Sequence, residues 1–230
     1  MPDDVKDIPA LRDRKKARQR AELLQAAAEL FREKGYERTR MEDIAVLADV
    51  STPTVYNYFA TKQGILVELL TQDRVEMQEP VEAVLRDPPD DPAEALAQLI
   101  HANMACLRRA EDKLLWREML AAIVRAHDEE QEELDRNRSI FKGHIERLLR
   151  HFVDRGKISE AVPLNLAAEL IYAVNAYDFR RLAEAEDRTP ELIRDMAREQ
   201  MALLVAGWKN LSPAALPSSA AHSARRKSHR

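Results

Sequence analysis

The sequence predicts an all-α fold, and three observations carry that reading. Glycine is scarce, 5 in 230 residues, while Ala, Leu, Glu and Arg are plentiful and aromatic residues make up 5%, a composition that favours helix. Apolar residues recur three and four apart, as in Leu23, Leu24, Ala27, Leu30 and Phe31, which places them on one helical face. Breakers separate such runs: Gly35, Pro80, the stretch from Asp87 through Pro88 and Pro89 to Pro92, Gly156 and Pro190.

Residues 1–11 read as a loose leader. A basic run, Arg12, Arg14, Lys15, Lys16, Arg18 and Arg20, leads into the first helix, which Gly35 ends as its C′ residue. A second helix opens at Thr39, three residues before Glu42, the spacing of a capping box. Met41, Ile44, Ala45 and Ala48 line its inner face, and Asp49 falls at a turn that calls for positive φ. A third helix follows at once, with Ser51 as N-cap, Pro53 in the first turn, and Val55 and Phe59 facing inward. Two short helices joined this tightly form a helix-turn-helix, a device that lays one helix in the DNA major groove.

On that reading, Thr52, Pro53 and Asn57 are the candidates for base contacts, because an Asn amide pairs with adenine edges and apolar groups touch the thymine methyl. Thr39, Thr54, Tyr56, Tyr58 and Lys62 are the candidates for phosphate contacts, joined by Arg14 and Lys16 from the basic run.

The arrangement resembles the DNA-binding domain of the tetracycline-repressor (TetR) family over residues 17–70. The resemblance rests on Phe31, Gly35 and Tyr36 at the end of the first helix and on Thr39 at the start of the second. It rests further on Ile44, Ala45, Ala48, Val50 and Ser51 across the turn, and on Thr54, Tyr56, Phe59 and Lys62 in and after the third helix. Asp49 stands where the family usually has Gly, and Gln63-Gly64 replaces its usual acidic residues. The resemblance implies a transcriptional regulator, most often a repressor, that binds a palindromic operator as a homodimer and is released by a small molecule. It implies no enzyme activity.

Charge agrees with a DNA-binding end. Residues 12–62 hold 11 Lys and Arg against 8 Asp and Glu, whereas residues 63–211 hold 20 against 29. With one Cys, no internal disulfide can form, and no apolar run is long enough to span a bilayer, so a cytoplasmic protein is expected. No Gly-rich phosphate loop, Gly-x-Ser-x-Gly or Cys-x-x-Cys occurs, and neither cofactor nor metal is expected. His127 with Glu130 and His151 with Asp154 are spaced like ordinary helical charge pairs.

Beyond the first three helices, a linking helix is expected from Lys62 to about residue 78. Helices at 92–109, 112–126, 128–155, 163–185 and 190–209 then fill a second domain, 79–211. Asp91-Pro92 and Thr189-Pro190 are cap-then-proline starts. Residues 212–230, rich in Ser, Ala, Pro and Arg, read as a disordered basic tail.

The last two long helices are apolar over a wide arc. Leu170, Val174 and Tyr177 on one, with Ile193, Ala197, Met201, Leu204 and Trp208 on the other, are expected at the four-helix dimer interface that the resemblance implies. Leu192, Met196, Leu203 and Gly207 form a second, offset stripe. The resemblance also implies an effector pocket, for which His101, Met104, Trp116, Met119, Phe141, His144, Tyr172 and Asn175 are the candidates.

Overall fold

A computed structural model describes residues 8–107, 110–123, 128–185 and 187–212. Among them the elements are α1 (Ile8–Lys34), α2 (Met41–Leu47), α3 (Thr52–Tyr58), α4 (Lys62–Arg86), α5 (Pro92–Ala102), a 3₁₀ turn (Ala105–Leu107), α6 (Ala110–Ile123), α7 (Asp128–Asp154), α8 (Leu164–Glu184) and α9 (Pro190–Trp208). The fold is all-α, as the composition requires.

Local chemistry sets most boundaries where the sequence places them. Gly35 sits at φ 81° and Gly156 at φ 67°, so each ends its helix in the left-handed region that a Cβ disfavours. The Asp91 carboxylate accepts from the Ala93 amide at 3.3 Å, and Pro92 opens α5.

Three boundaries differ. Helix α1 begins at Ile8, so the last residues of the expected leader are helical; residues 1–7 and the tail beyond 212 lie outside the described residues. Helix α5 stops at Ala102, and Met104 and Leu107 are buried through the 3₁₀ turn instead of a continued helix. Helix α4 runs through Pro80 to Arg86. A helix-interior proline costs about 3 kcal/mol, but Met77 and Val81, four apart on one face, are 8% and 2% exposed. Burying two such side chains contributes about 1.5–3 kcal/mol each, enough to carry the helix across.

The chain forms two compact units. The first comprises Met1–Glu79, Met104–Ser139 and Phe179–Pro190, and the second comprises Pro80–Asn103, Ile140–Asp178 and Glu191–Arg230. The stretch 79–211, treated as one domain in the sequence, therefore contributes to both. Leu23, Phe31, Ile44, Val55, Ile65, Leu66, Leu107 and Met119 make the core of the first. Leu96, Leu99, Ile145, Leu149, Phe152, Ile171, Ile193 and Met201 make that of the second. There the C-terminal end of α9 is pinned by Ser159, whose amide donates to the Trp208 carbonyl at 3.2 Å and whose hydroxyl donates to that of Leu211 at 2.7 Å.

Candidate nucleic-acid interface

Helix α2 buries Met41, Ile44 and Ala45, at 6%, 0% and 2% exposure. Its cap is shifted by one residue from the expected capping box. Arg40 is the N-cap, and its amide donates to the Asp43 carboxylate at 3.0 Å. That hydrogen bond, assisted by the Lys34 ammonium, holds the Asp43 carboxyl below the usual carboxylate range. The stability it contributes is present above the ordinary Asp pKa and is lost as pH falls through the lowered one.

The turn itself follows the sequence closely. Asp49 takes φ 53°, the left-handed conformation anticipated for it. The Val50 amide donates to the Ala45 carbonyl at 2.9 Å, bringing the chain straight into α3. Ser51 caps α3, its Oγ accepting from the Thr54 amide at 3.3 Å and lying 2.8 Å from the Thr54 hydroxyl.

With about 100° between successive residues, Val55 and Phe59 share one side of α3 with Thr52 at its edge, and Pro53, Tyr56 and Asn57 face away from it. Val55 and Phe59 are buried at 0% and 4% exposure. Pro53, Tyr56 and Asn57 are exposed, and Thr52 and Thr54 half-buried. The free face thus presents an amide, hydroxyls and small apolar groups at helical spacing, which is the equipment for touching base edges and phosphates. Arg14 and Lys16 are exposed on α1.

Three expected phosphate contacts are corrected. Thr39 is 1% exposed, and its hydroxyl donates to the carbonyls of Gly35 at 2.9 Å and Leu30 at 3.2 Å. Lys62 turns inward. Its ammonium donates to the carbonyls of Tyr36 at 2.6 Å, Thr39 at 2.9 Å and Glu37 at 3.3 Å, and lies 4.2 Å from the Tyr36 ring centroid. Burial pushes its pKa below the ordinary lysine value, while the three carbonyls take up its N–H groups. The Tyr58 hydroxyl donates to Gln19 Oε1 at 3.0 Å, which commits its one proton. These residues shape the reading head from within: Thr39 and Lys62 donate to backbone carbonyls of α1 and the loop after it, and Tyr58 to Gln19.

Arg20, the last cation of the basic run, is likewise engaged within the protein. Its guanidinium grips the Glu68 carboxylate through two N–H groups at 2.9 and 3.0 Å, donates to the Tyr58 carbonyl at 3.2 Å, and lies 4.5 Å from the Phe59 ring centroid. The Glu68 hydrogen bonds raise its already high pKa. Arg20 therefore ties α1 and α4 to the C-terminal end of α3 and fixes the tilt of the reading helix. Its partners are 38 and 48 residues away, so no local pattern in the sequence points to them.

The effector candidates divide between the units. In the first, Met104 and Met119 are fully buried, and Trp116 packs edge-on against Phe179 with ring centroids 4.7 Å apart. The buried Trp116 indole N–H has no acceptor among the described residues. In the second, Phe141 lies 6.5 Å from Tyr172, centroid to centroid. Asn175 is 4% exposed and accepts from the Asn103 amide at 3.4 Å. His144 stands 3.9 Å from Glu82, and His101 is half-buried.

The apolar arc of α8 and α9 splits into two faces. Ile193, Ala197 and Met201 are 0% exposed, so they belong to the core of their own unit and are corrected out of the dimer set. Val174, Leu204 and Trp208 are half-buried. The exposed strip consists of Leu166 (51%), Leu170 (46%) and Tyr177 (49%) on α8, with Leu192 (47%) and Leu203 (78%) on α9. The offset stripe of α9 is the outward one, which periodicity alone could not decide, since both stripes are apolar.

No helix among the described residues is long and apolar enough to cross a membrane. Among the same residues no group of three His, Cys, Asp or Glu side chains could hold a metal; His127 lies outside them.

Over residues 23–69 the chain matches the bacterial regulatory proteins of the tetR family. A fatty acid metabolism regulator protein of Bacillus subtilis (strain 168) is 27% identical over 157 residues, covering 66% of this chain and 76% of that one. The HTH-type transcriptional regulator TcmR of Streptomyces glaucescens is 42% identical over 57 residues, 25% of each chain. Among solved structures, the TetR family transcriptional regulator PfmR from Thermus thermophilus shares the fold at a TM-score of 0.60 and 25% identity, covering 80% of this chain and 97% of that one. FadR from Bacillus subtilis, solved in complex with stearoyl-CoA, does so at 0.64 and 22%, covering 81% and 98%. The capped helix-turn-helix with its exposed polar face thus stands in the stretch that matches the tetR family, and over 66–80% of its length the chain is similar to transcriptional regulators.

Proposed function

We propose that the chain acts as a homodimer that reads a palindromic operator and represses transcription until a small-molecule effector releases it. The observation that carries this reading is the pair of exposed faces: the polar face of α3 and the apolar side chains of α8 and α9 that reach the surface. A monomeric regulator has no use for five large apolar side chains that are 46–78% exposed along two helices. Two copies related by a two-fold axis would cover the strip and present two α3 helices to half-sites about 34 Å apart.

In this reading Asn57, Thr52 and Pro53 touch bases, and Thr54, Tyr56, Arg14 and Lys16 hold phosphates. Asn57→Ala is expected to change the preference at one base position by roughly 1–3 kcal/mol and leave the others intact. Binding curves across single-base variants of the site would measure it, and an equal loss on all variants would remove Asn57 from the base-reading set.

For the effector we propose a long-chain acyl-CoA, supported by the relative named as a fatty acid metabolism regulator and by the neighbour solved with stearoyl-CoA. Trp116 is the group proposed to fix a polar atom of it, since a buried donor without an acceptor carries a penalty of about 1–3 kcal/mol that a ligand oxygen would recover. Stearoyl-CoA at a hundredfold its Kd would stabilise the protein by about 2.7 kcal/mol. It would lower operator affinity by about 5- to 150-fold, and operator DNA would weaken stearoyl-CoA binding by the same factor. The test is a thermal melt and a fluorescence anisotropy titration, each with and without stearoyl-CoA. No shift in either removes the acyl-CoA reading.

A further inference from the structure

The loop between α1 and α2, residues 35–39, is held from three directions. From within, the Thr39 hydroxyl ties it to the end of α1. From the start of α4, Lys62 gathers the carbonyls of Tyr36, Glu37 and Thr39. The third hold comes from far along the chain: Glu118 on α6 accepts the Tyr36 amide hydrogen at 2.8 Å through Oε2. The same oxygen lies 3.1 Å from where a Cβ on Gly35 would stand. Gly35 is therefore needed at this position twice over, for its φ of 81° and for the room it leaves Glu118.

The first two holds belong to the reading head itself. The third does not, since Glu118 lies outside residues 23–69, which match the family. Around it is a cleft of about 300 Å³ lined by Lys34, Gly35, Tyr36, Glu37, Arg38, Glu118 and Ala121, so the Glu118 carboxylate reaches the loop with open space beside it. A hydrogen bond to a backbone amide fixes a distance and a direction, which apolar packing around a cleft does not. Helix α2 starts immediately after the loop, and α2 fixes α3 through the turn.

We propose that Glu118 is a positioning residue for DNA binding: its carboxylate, acting through the Tyr36 amide, sets the angle at which α2 and α3 leave α1. It touches no DNA. The role it plays depends on accepting one hydrogen bond, not on carrying charge, so a glutamine should serve in its place.

The test uses the full chain and, as probe, a duplex selected from random DNA by the wild-type protein. Glu118→Ala is expected to weaken binding to this duplex by about 5- to 30-fold, the factor of one lost hydrogen bond, while Glu118→Gln stays within about twofold of wild type. Amide hydrogen exchange at Tyr36 should quicken in Glu118→Ala and not in Glu118→Gln. Exchange at Ile44 and Val55, inside the head, should stay unchanged in both variants, which separates positioning from loss of fold. The proposal is overturned if Glu118→Ala binds as tightly as wild type, if Glu118→Gln loses as much as Glu118→Ala, or if the Ile44 and Val55 amides open together with Tyr36.

Discussion

Leu170→Glu is expected to yield a folded monomer that no longer holds its operator. Leu170 is 46% exposed on α8, in line with Leu166 and Tyr177. The substitution removes little from the core of its own unit, so the single chain should keep its helix content and melt cooperatively. In a two-fold interface each substitution enters twice, and two carboxylates brought to a dry apolar seam cost several kcal/mol. Operator binding should collapse with the dimer, because linking two half-site contacts is worth about 10²- to 10⁴-fold in affinity. Sedimentation equilibrium with a parallel anisotropy titration measures both effects. The contrast is Ile193→Glu: Ile193 is 0% exposed, so a carboxylate there is expected to unfold its unit, not merely to separate the copies. If Leu170→Glu stays dimeric, the strip is not the interface.

Lys62→Ala is expected to destabilise the protein without changing how DNA binding responds to salt. The ammonium holds three carbonyls at 2.6–3.3 Å, and its removal leaves them to water at a partly exposed site. With hydrogen bonds to charged groups worth about 1.5–3 kcal/mol when buried, a discounted loss of roughly 1–2 kcal/mol is expected here. For a chain of this size that lowers the melting midpoint by about 2–8 °C. Operator affinity should fall in parallel at every salt concentration as the loop loosens. A lysine on phosphate behaves differently: its loss leaves stability intact and reduces the slope of log K against log salt by about 0.9. That second pattern would return Lys62 to the DNA surface.

The turn into the reading helix was legible in the sequence because its causes are local, although the α2 cap falls one residue later than the Thr39–Glu42 spacing indicates. Ser51, Pro53 and Asp49 act through their own backbone, and their cap, first-turn and positive-φ roles are where residue type places them. Helix type followed from periodicity for the same reason. What escaped are interactions whose partner is distant or whose competitor is hidden. Lys62 and Thr39 look like phosphate donors until the carbonyls of the 35–39 loop are placed beside them. Arg20 looks like one more cation in a basic arm until Glu68 stands opposite. On α9, two apolar stripes share one helix, and only the packing of Ile193, Ala197 and Met201 shows which of them is already buried. Pro80 reads as a breaker because the cost of a proline is local, whereas the burial of Met77 and Val81 that offsets it is not.

The central claim is paired reading: two copies of α3, held by the α8 and α9 strip, on one symmetric site. Selection of bound duplexes from random DNA by the wild-type chain tests it most directly. Paired reading predicts an inverted repeat whose half-sites lie about one helical turn apart, roughly 10–10.5 base pairs centre to centre. Enrichment of a single unrepeated half-site, or of no sequence at all, would contradict it.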